Sequence, residues 1–378
     1  MFIKQKEMID LDLYRKYRLK NVINASGKMT ILGVSKVPTD VVSQQKFGDE
    51  NFFEMSDLVI KTGKYLANLL NAEDAVIVNS ASAGIALAVA AVIGKGQLYH
   101  VYHPYDNRYI QREVIMPKGQ NVDYGAPEEL MISLGGGKLV EAGYANMCKS
   151  DHLEMQITDQ TSAILYVKSH HAVQKSMLSI SEAVKIAHEH NLPLILDAAA
   201  EEDLNKYLKL DVDIIIFSGA KALEGPASGL VYGKKKYINW IRMQSHGIGR
   251  AMKIGKENIL GLAAAIERYL KVGPESGKSM QKRLSPFLKN LNQIPYINAR
   301  EVQDAAGREI YRAAVTVSND SPNSAIKIVE ELKNGDPAIY TREYRVNEGI
   351  IEFDIRAVQQ NEMEKIINAL IKIQRREN

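Results

Sequence analysis

The 378-residue chain has one cysteine, Cys148, little net charge, and no apolar run longer than Ile85–Ile93. A lone cysteine excludes an internal disulfide and leaves no thiolate cluster for zinc or iron–sulfur, which fits a reducing compartment. The apolar run is far too short for a bilayer, which takes about 20 residues. Basic and acidic residues number 48 and 45, a net +3, so composition gives no sign of a nucleic-acid-binding surface. Met1–Lys20 alternates charged and apolar residues without the apolar stretch of a signal peptide. No repeat or low-complexity tract is present. These absences predict a soluble cytoplasmic protein. With 46% hydrophobic and 25% charged residues, the composition is that of an ordinary globular chain. Its length allows a large domain and a smaller one.

From about Asp57 to Tyr269 the pattern alternates between helical spacing and short apolar runs. Helices are expected at 58–70, 82–93 and 179–190, the last opened by Ser181 with Glu182 close behind. Strands are expected at 75–78, 114–116, 138–140, 163–167, 192–196, 213–217 and 229–233. Apolar strands without alternation, separated by helices, predict an α/β domain with a mostly parallel sheet. A break at 271–277 precedes a pattern read as β-α-β-β-α, with Val346–Gly349 as a hairpin turn. The expected division is an N-terminal segment packed on the active site (1–54), a large domain (55–270) and a small α+β domain (271–378).

Ligands of open parallel sheets collect at the carboxyl ends of the strands. Asp197 ends the run Leu192–Leu196, and Lys221 sits in a Gly-rich stretch, Ser218-Gly219-Ala220-Lys221, directly after Asp213–Phe217. Pyridoxal 5'-phosphate needs such a pair: an amine to carry it covalently, and a carboxylate to keep its pyridine nitrogen protonated. The strand-to-helix passage Ser80-Ala81-Ser82-Ala83 supplies small residues and unpaired amides that suit a phosphate. A tightly packed helix cap without a ligand remains the alternative for that segment taken alone. Ser218 is a further candidate phosphate contact.

The order of these pieces resembles the aspartate-aminotransferase-type fold (fold type I) of pyridoxal-phosphate enzymes, in the branch related to bacterial selenocysteine synthase. The stretches that carry the likeness are Val22–Gly27, Ser218–Lys221 with Gly225–Gly229, and Gly249–Lys256. Within that branch, Gly27–Ser35, Ser80–Ala86, Pro117–Gly119, Tyr124–Pro127, Leu134–Gly137, Lys168–His171, Val173–Met177 and Asp197–Leu204 resemble ammonia-lyases of phosphorylated amino-sugar acids. Two places depart from that pattern: Gln120, where a histidine is expected, and the stretch 100–108.

The resemblance implies a fold type I large domain, a small C-terminal α+β domain and a homodimer or larger symmetric assembly. It also implies elimination of ammonia from 2-amino-2-deoxy-D-gluconate 6-phosphate. Lys221 and Asp197 are the expected catalytic pair, with His170 or His171 near the cofactor's phenolic oxygen or donating to the leaving hydroxyl. Ser80, Ala81, Ser82, Ala83 and Ser218 are expected at the phosphate, and Gln120 over one ring face. Arg342 and Arg356, then Arg250, are the candidates for the substrate's anionic groups, with Lys28 and Thr30 closing over the site. No metal is expected. A β-elimination or replacement on another small amino acid stays open, as does an enzyme acting on a charged transfer RNA. The near-neutral charge and the short stretch before Asn24 speak against the latter. A cofactor-free binding module is the third alternative.

Overall fold

The computed structural model describes residues 13–169, 171–304 and 308–375. In chain order its elements begin with β1 (Val22–Asn24), α1 (Thr39–Glu50), α2 (Met55–Leu70), β2 (Asp74–Val78), α3 (Ala81–Gly94) and α4 (Leu98–Tyr102). Next come β3 (Glu113–Pro117), α5 (Glu128–Leu134), β4 (Lys138–Ala142), α6 (Ser150–Glu154), β5 (Thr161–Val167) and α7 (Ile180–Glu189). They continue with β6 (Leu194–Asp197), β7 (Ile214–Ser218), β8 (Gly229–Gly233), α8 (Lys235–Met243), α9 (Lys256–Val272) and α10 (Gly277–Leu291). The last are β9 (Ile297–Gln303), β10 (Tyr311–Val317), α11 (Ala325–Asn334), β11 (Ala338–Tyr340), β12 (Ile350–Phe353) and α12 (Gln360–Arg375).

These elements form two compact units. One is residues 37–274; the other joins the chain before residue 37 to the chain after 274. The expected N-terminal segment 1–54 is therefore divided. β1 pairs in parallel with β11, which draws it into the C-terminal unit. α1 packs on α9 and belongs to the large unit.

The large unit is built on a seven-stranded sheet of order β2-β8-β7-β6-β5-β3-β4. Only β8 runs against the others. Successive side chains of a strand point to opposite faces, and here both faces are buried. Ala75, Ile77, Leu194, Leu196, Ile215 and Phe217 join one core, with α7 and α9. Val76, Val78, Ile195, Ile214 and Ile216 join the other, with α3. That is why these strands read as unbroken apolar runs. α3 is buried at every position but Ser82 and is otherwise correspondingly apolar.

α7 is opened by Ser179 rather than Ser181. The Ser179 side chain accepts from the Glu182 amide, and Glu182 reaches back to the Ser179 amide. This reciprocal pair satisfies two donors that the first turn leaves open.

In the second unit a three-stranded antiparallel sheet has the order β12-β10-β9. The expected hairpin around 346–349 is only a single bridge, between Arg342 and Glu352, and β11 has its ladder with β1 instead. Its core lies among α10, α11, α12 and the sheet, with Phe287 and Phe353 edge to face at 6.0 Å. Among the described residues no helix is long and apolar enough to cross a membrane.

Candidate active site

Strand parity decides what gathers at the carboxyl end of the large sheet. Ile195 and Ile216 face α3, so Asp197 and Ser218, each two residues further along, face α3 as well. Val167 of β5 lies beside Asp197 in register. β8 begins beside the ends of β2 and β7, where Gly229 pairs with Val78 and Ser218. Ser80–Ala83, Asp197, Ser218 and the loop carrying Lys221 thus share one end of one sheet.

Ser80 caps α3, its hydroxyl accepting from the Ala83 amide at 3.0 Å. The amides of Ala81 and Ser82 belong to the first turn and have no acceptor within the helix. Gly229 keeps this turn close to the sheet: a Cβ there would lie 2.6 Å from the Ser80 carbonyl carbon and oxygen. Ser82 Oγ is 3.1 Å from the Tyr124 hydroxyl.

Asp197 is buried and its Oδ1 accepts from the Ala199 amide at 2.9 Å. Burial pushes its carboxyl up, while the Ala199 amide and the charge of Lys221 oppose that rise. Lys221 is half-buried, in the loop that follows β7. Gln120 is 1% exposed, and its Oε1 accepts from the Val167 amide at 2.8 Å. The side chain expected over a ring face is therefore tied to the strand end beside Asp197. His171 is exposed, and its amide donates to Ser169 Oγ at 3.2 Å. His170 lies outside the described residues. Arg250 is exposed on a short turn of the large unit, Ile248–Arg250.

Two residues to which sequence reasoning gave no role stand in this cluster. Glu128, the first residue of α5, is 1% exposed, with its carboxyl within hydrogen-bonding reach of Asp197. Its Oε2 is enclosed without a partner. Burial pushes the Glu128 carboxyl up, and the neighbouring Asp197 charge adds to this. Tyr124 is likewise pushed up by burial, with Glu128 and Asp197 as further causes.

The other expected residues lie in the second unit. Asn24 closes a turn after β1: its Oδ1 accepts from the amide and hydroxyl of Ser26, and its Nδ2 donates to the Gly27 carbonyl. Gly27 has φ 96°, and a Cβ there would be 3.1 Å from Asp354 Oδ2 and 3.4 Å from Arg356 Nη2. Arg356 forks onto Asp354 with Nε at 3.0 Å and Nη2 at 2.9 Å. Burial alone would raise Asp354, but Arg356 and Arg312 hold it at about 2. Arg342 reaches the Ser26 carbonyl at 3.5 Å, and its Nε makes no hydrogen bond but stands 3.6 Å from Glu352 Oε2, a loose ion pair. Lys28 is half-buried beside the same turn, and Thr30 is exposed. Arg342, Arg356 and the 24–28 turn are brought together within this unit.

Residues 56–322 match the family model of the L-seryl-tRNA selenium transferases, SelA. The chain belongs to the SelA family. Within that family it is 44% identical to the D-glucosaminate-6-phosphate ammonia lyase of Salmonella typhimurium, over 96% of this chain and 98% of that one. It is 35% identical to a 5'-C-glycyluridine monooxygenase-decarboxylase of Streptomyces, over 94% and 90%. A solved structure of D-glucosaminate-6-phosphate ammonia-lyase superposes with a TM-score of 0.91 at 43% identity, covering 96% of this chain and 98% of that one. The fold is type I of the pyridoxal-phosphate enzymes, a mostly parallel sheet flanked by helices.

The family's cofactor is pyridoxal phosphate, and the residues here fit it. The sheet end offers an amine, a buried carboxylate two residues past a strand interior, and amides at the start of α3.

Proposed function

We propose that the protein is a pyridoxal-phosphate-dependent ammonia lyase. Its substrate is 2-amino-2-deoxy-D-gluconate 6-phosphate and its products are 2-keto-3-deoxy-6-phosphogluconate and ammonia. The observation that carries this reading is the convergence of Asp197, Lys221 and the Ser80–Ala83 turn at one sheet end, in a chain 44% identical to a lyase of that name.

When bound, the cofactor supplies a conjugated ring that takes up the electron pair left at the substrate's α-carbon. Lys221 Nζ would hold it. The same nitrogen would hold or move a proton at the substrate's α-carbon or at its C3 hydroxyl. Asp197 would keep the ring nitrogen protonated, since an adjacent carboxylate favours the cation by roughly 1–3 pKa units. The amides of Ala81 and Ser82, with the hydroxyls of Ser82 and Ser218, would bind the phosphate. Gln120 stands at the strand end as the candidate ring cover, and His170 or His171 as proton donor to the departing hydroxyl. Water leaves across C2 and C3; the resulting imine takes water back, so ammonia is the net product.

Arg342 and Arg356 are assigned to the substrate's carboxylate and phosphate, whose geometry suits guanidinium forks. Arg342 is the stronger candidate, because Arg356 already commits Nε and Nη2 to Asp354. Arg250 is held in reserve, and Lys28 and Thr30 flank the turn that Arg342 touches. We place the enzyme in the cytoplasm as a homo-oligomer.

Lys221→Ala tests the reading. The visible absorption band of the bound cofactor should vanish, together with ammonia release from the phosphorylated amino-sugar acid. A variant that keeps both refutes it.

A further inference from the structure

We propose that Glu128 is a positioning residue of the cofactor site: it carries a proton that it donates to the Asp197 carboxylate, fixing that group in its charged form. The proposal rests on the reading of the cofactor site above.

The geometry is that of two carboxyls within hydrogen-bonding reach in a buried place. Two buried carboxylates side by side cannot both be charged, so the pair shares one proton. Its location follows from what else touches each group. Asp197 receives the Ala199 amide at 2.9 Å, which favours its charged form. Glu128 has an oxygen, Oε2, enclosed without any donor. An enclosed carboxyl oxygen with no donor is stable as the hydroxyl of a neutral acid and costly as part of an anion.

The groups facing Glu128 are few. Asp197 comes from β6, Lys221 from the loop after β7, and Tyr124 from the loop before α5. α3 contributes Ser82, which is engaged with Tyr124. Tyr124 is itself pushed up and stays neutral, so among the described residues Lys221 is the one charge favouring an ionised Glu128.

The consequence concerns the cofactor. With one hydrogen bond from Ala199 and one from Glu128, Asp197 keeps both its charge and its orientation. Without the second donor, burial would drive Asp197 to take a proton itself, and it could no longer pair with a ring cation.

The test compares wild type, Glu128→Gln and Glu128→Leu by pyridoxal-phosphate affinity and by the pH dependence of the visible band. Glutamine keeps an N–H donor but cannot titrate. It should bind the cofactor within about three-fold of wild type, and its band should stay constant at alkaline pH where the wild-type band changes. Leucine removes the donor and should weaken binding about ten-fold or more. Wild-type affinity in the leucine variant, or a glutamine variant that follows the wild-type pH curve or loses the cofactor while folded, overturns the proposal.

A second measurement guards against variants that fail to fold. Infrared difference spectra of the cofactor-free wild type, between neutral and alkaline pH, should show loss of a protonated-carboxyl stretch. Its absence overturns the proposal as well. If instead no protein binds pyridoxal phosphate while that stretch is present, the functional reading fails and the carboxyl pair stands.

Discussion

Mild acid should destabilise the large unit through one side chain, His100. The ring is 0% exposed in α4, and neither nitrogen makes a hydrogen bond of acceptable geometry. Tyr109 meets it edge-on at 4.6 Å, and a Cβ at Gly94 would lie 2.4 Å from its Nδ1. The end of α3 is thus shaped around an uncharged imidazole. Burial lowers its pKa from 6.5 to about 4, the Arg112 charge adds to this, and the Pro104 carbonyl offsets only part. At 1.36 kcal/mol per pKa unit this is about 3 kcal/mol. The sign follows from proton uptake: on acidification the unfolded chain binds the proton first, so folding becomes less favourable as pH falls. This contribution is complete above 6.5, declines between 6.5 and about 4, and is gone below that. Urea unfolding followed by the fluorescence of Trp240, the only tryptophan, reads the large unit. Wild type should lose about 3 kcal/mol across that window relative to His100→Leu, which keeps the bulk and cannot titrate. Parallel pH profiles for the two proteins would refute the argument.

Three further perturbations probe the site. Asp197→Asn removes the charge that holds a ring proton and should cut turnover about 10–1000-fold while cofactor remains bound; full activity would dismiss the pairing. Arg342→Ala should raise KM for the phosphorylated substrate about ten-fold or more without altering the visible band, and an unchanged KM would reject the assignment. Gly229→Ala places a carbon 2.6 Å from the Ser80 carbonyl, so the start of α3 must move. Cofactor affinity should then fall about ten-fold, and a wild-type value would show that the Ser80–Ala83 turn does not hold the phosphate.

Most of the large unit is legible because all its strands but the edge strand β4 are buried on both faces, so apolar runs mark them. Parity along those runs already sets Asp197 and Ser218 on the face that α3 covers. The second unit is harder to read. β9, Ile297–Gln303, mixes Asn298, Arg300 and Glu301 among apolar residues, as suits a strand at the edge of its sheet, and was not expected. β1 finds its partner β11 more than 300 positions away, a pairing that no local pattern announces. Ser181 and Ser179 look equally able to cap a helix; only the reciprocal bond with Glu182 chooses between them.

Charged residues are where local pattern says least, because their roles depend on which partners already hold them. Glu128 and Glu129 stand side by side at the start of α5 and read as an ordinary acidic first turn. Folding exposes Glu129 and buries Glu128 against Asp197, and that burial pushes the Glu128 carboxyl up. Arg342 and Arg356 are equivalent in sequence, yet Asp354 accepts two hydrogen bonds from Arg356, while Arg342 Nε meets Glu352 only as a looser ion pair at 3.6 Å. An Arg356→Lys exchange should therefore cost stability first, since a single ammonium cannot reproduce the fork on a fully buried carboxylate. For Arg342 the corresponding loss should fall first on substrate affinity.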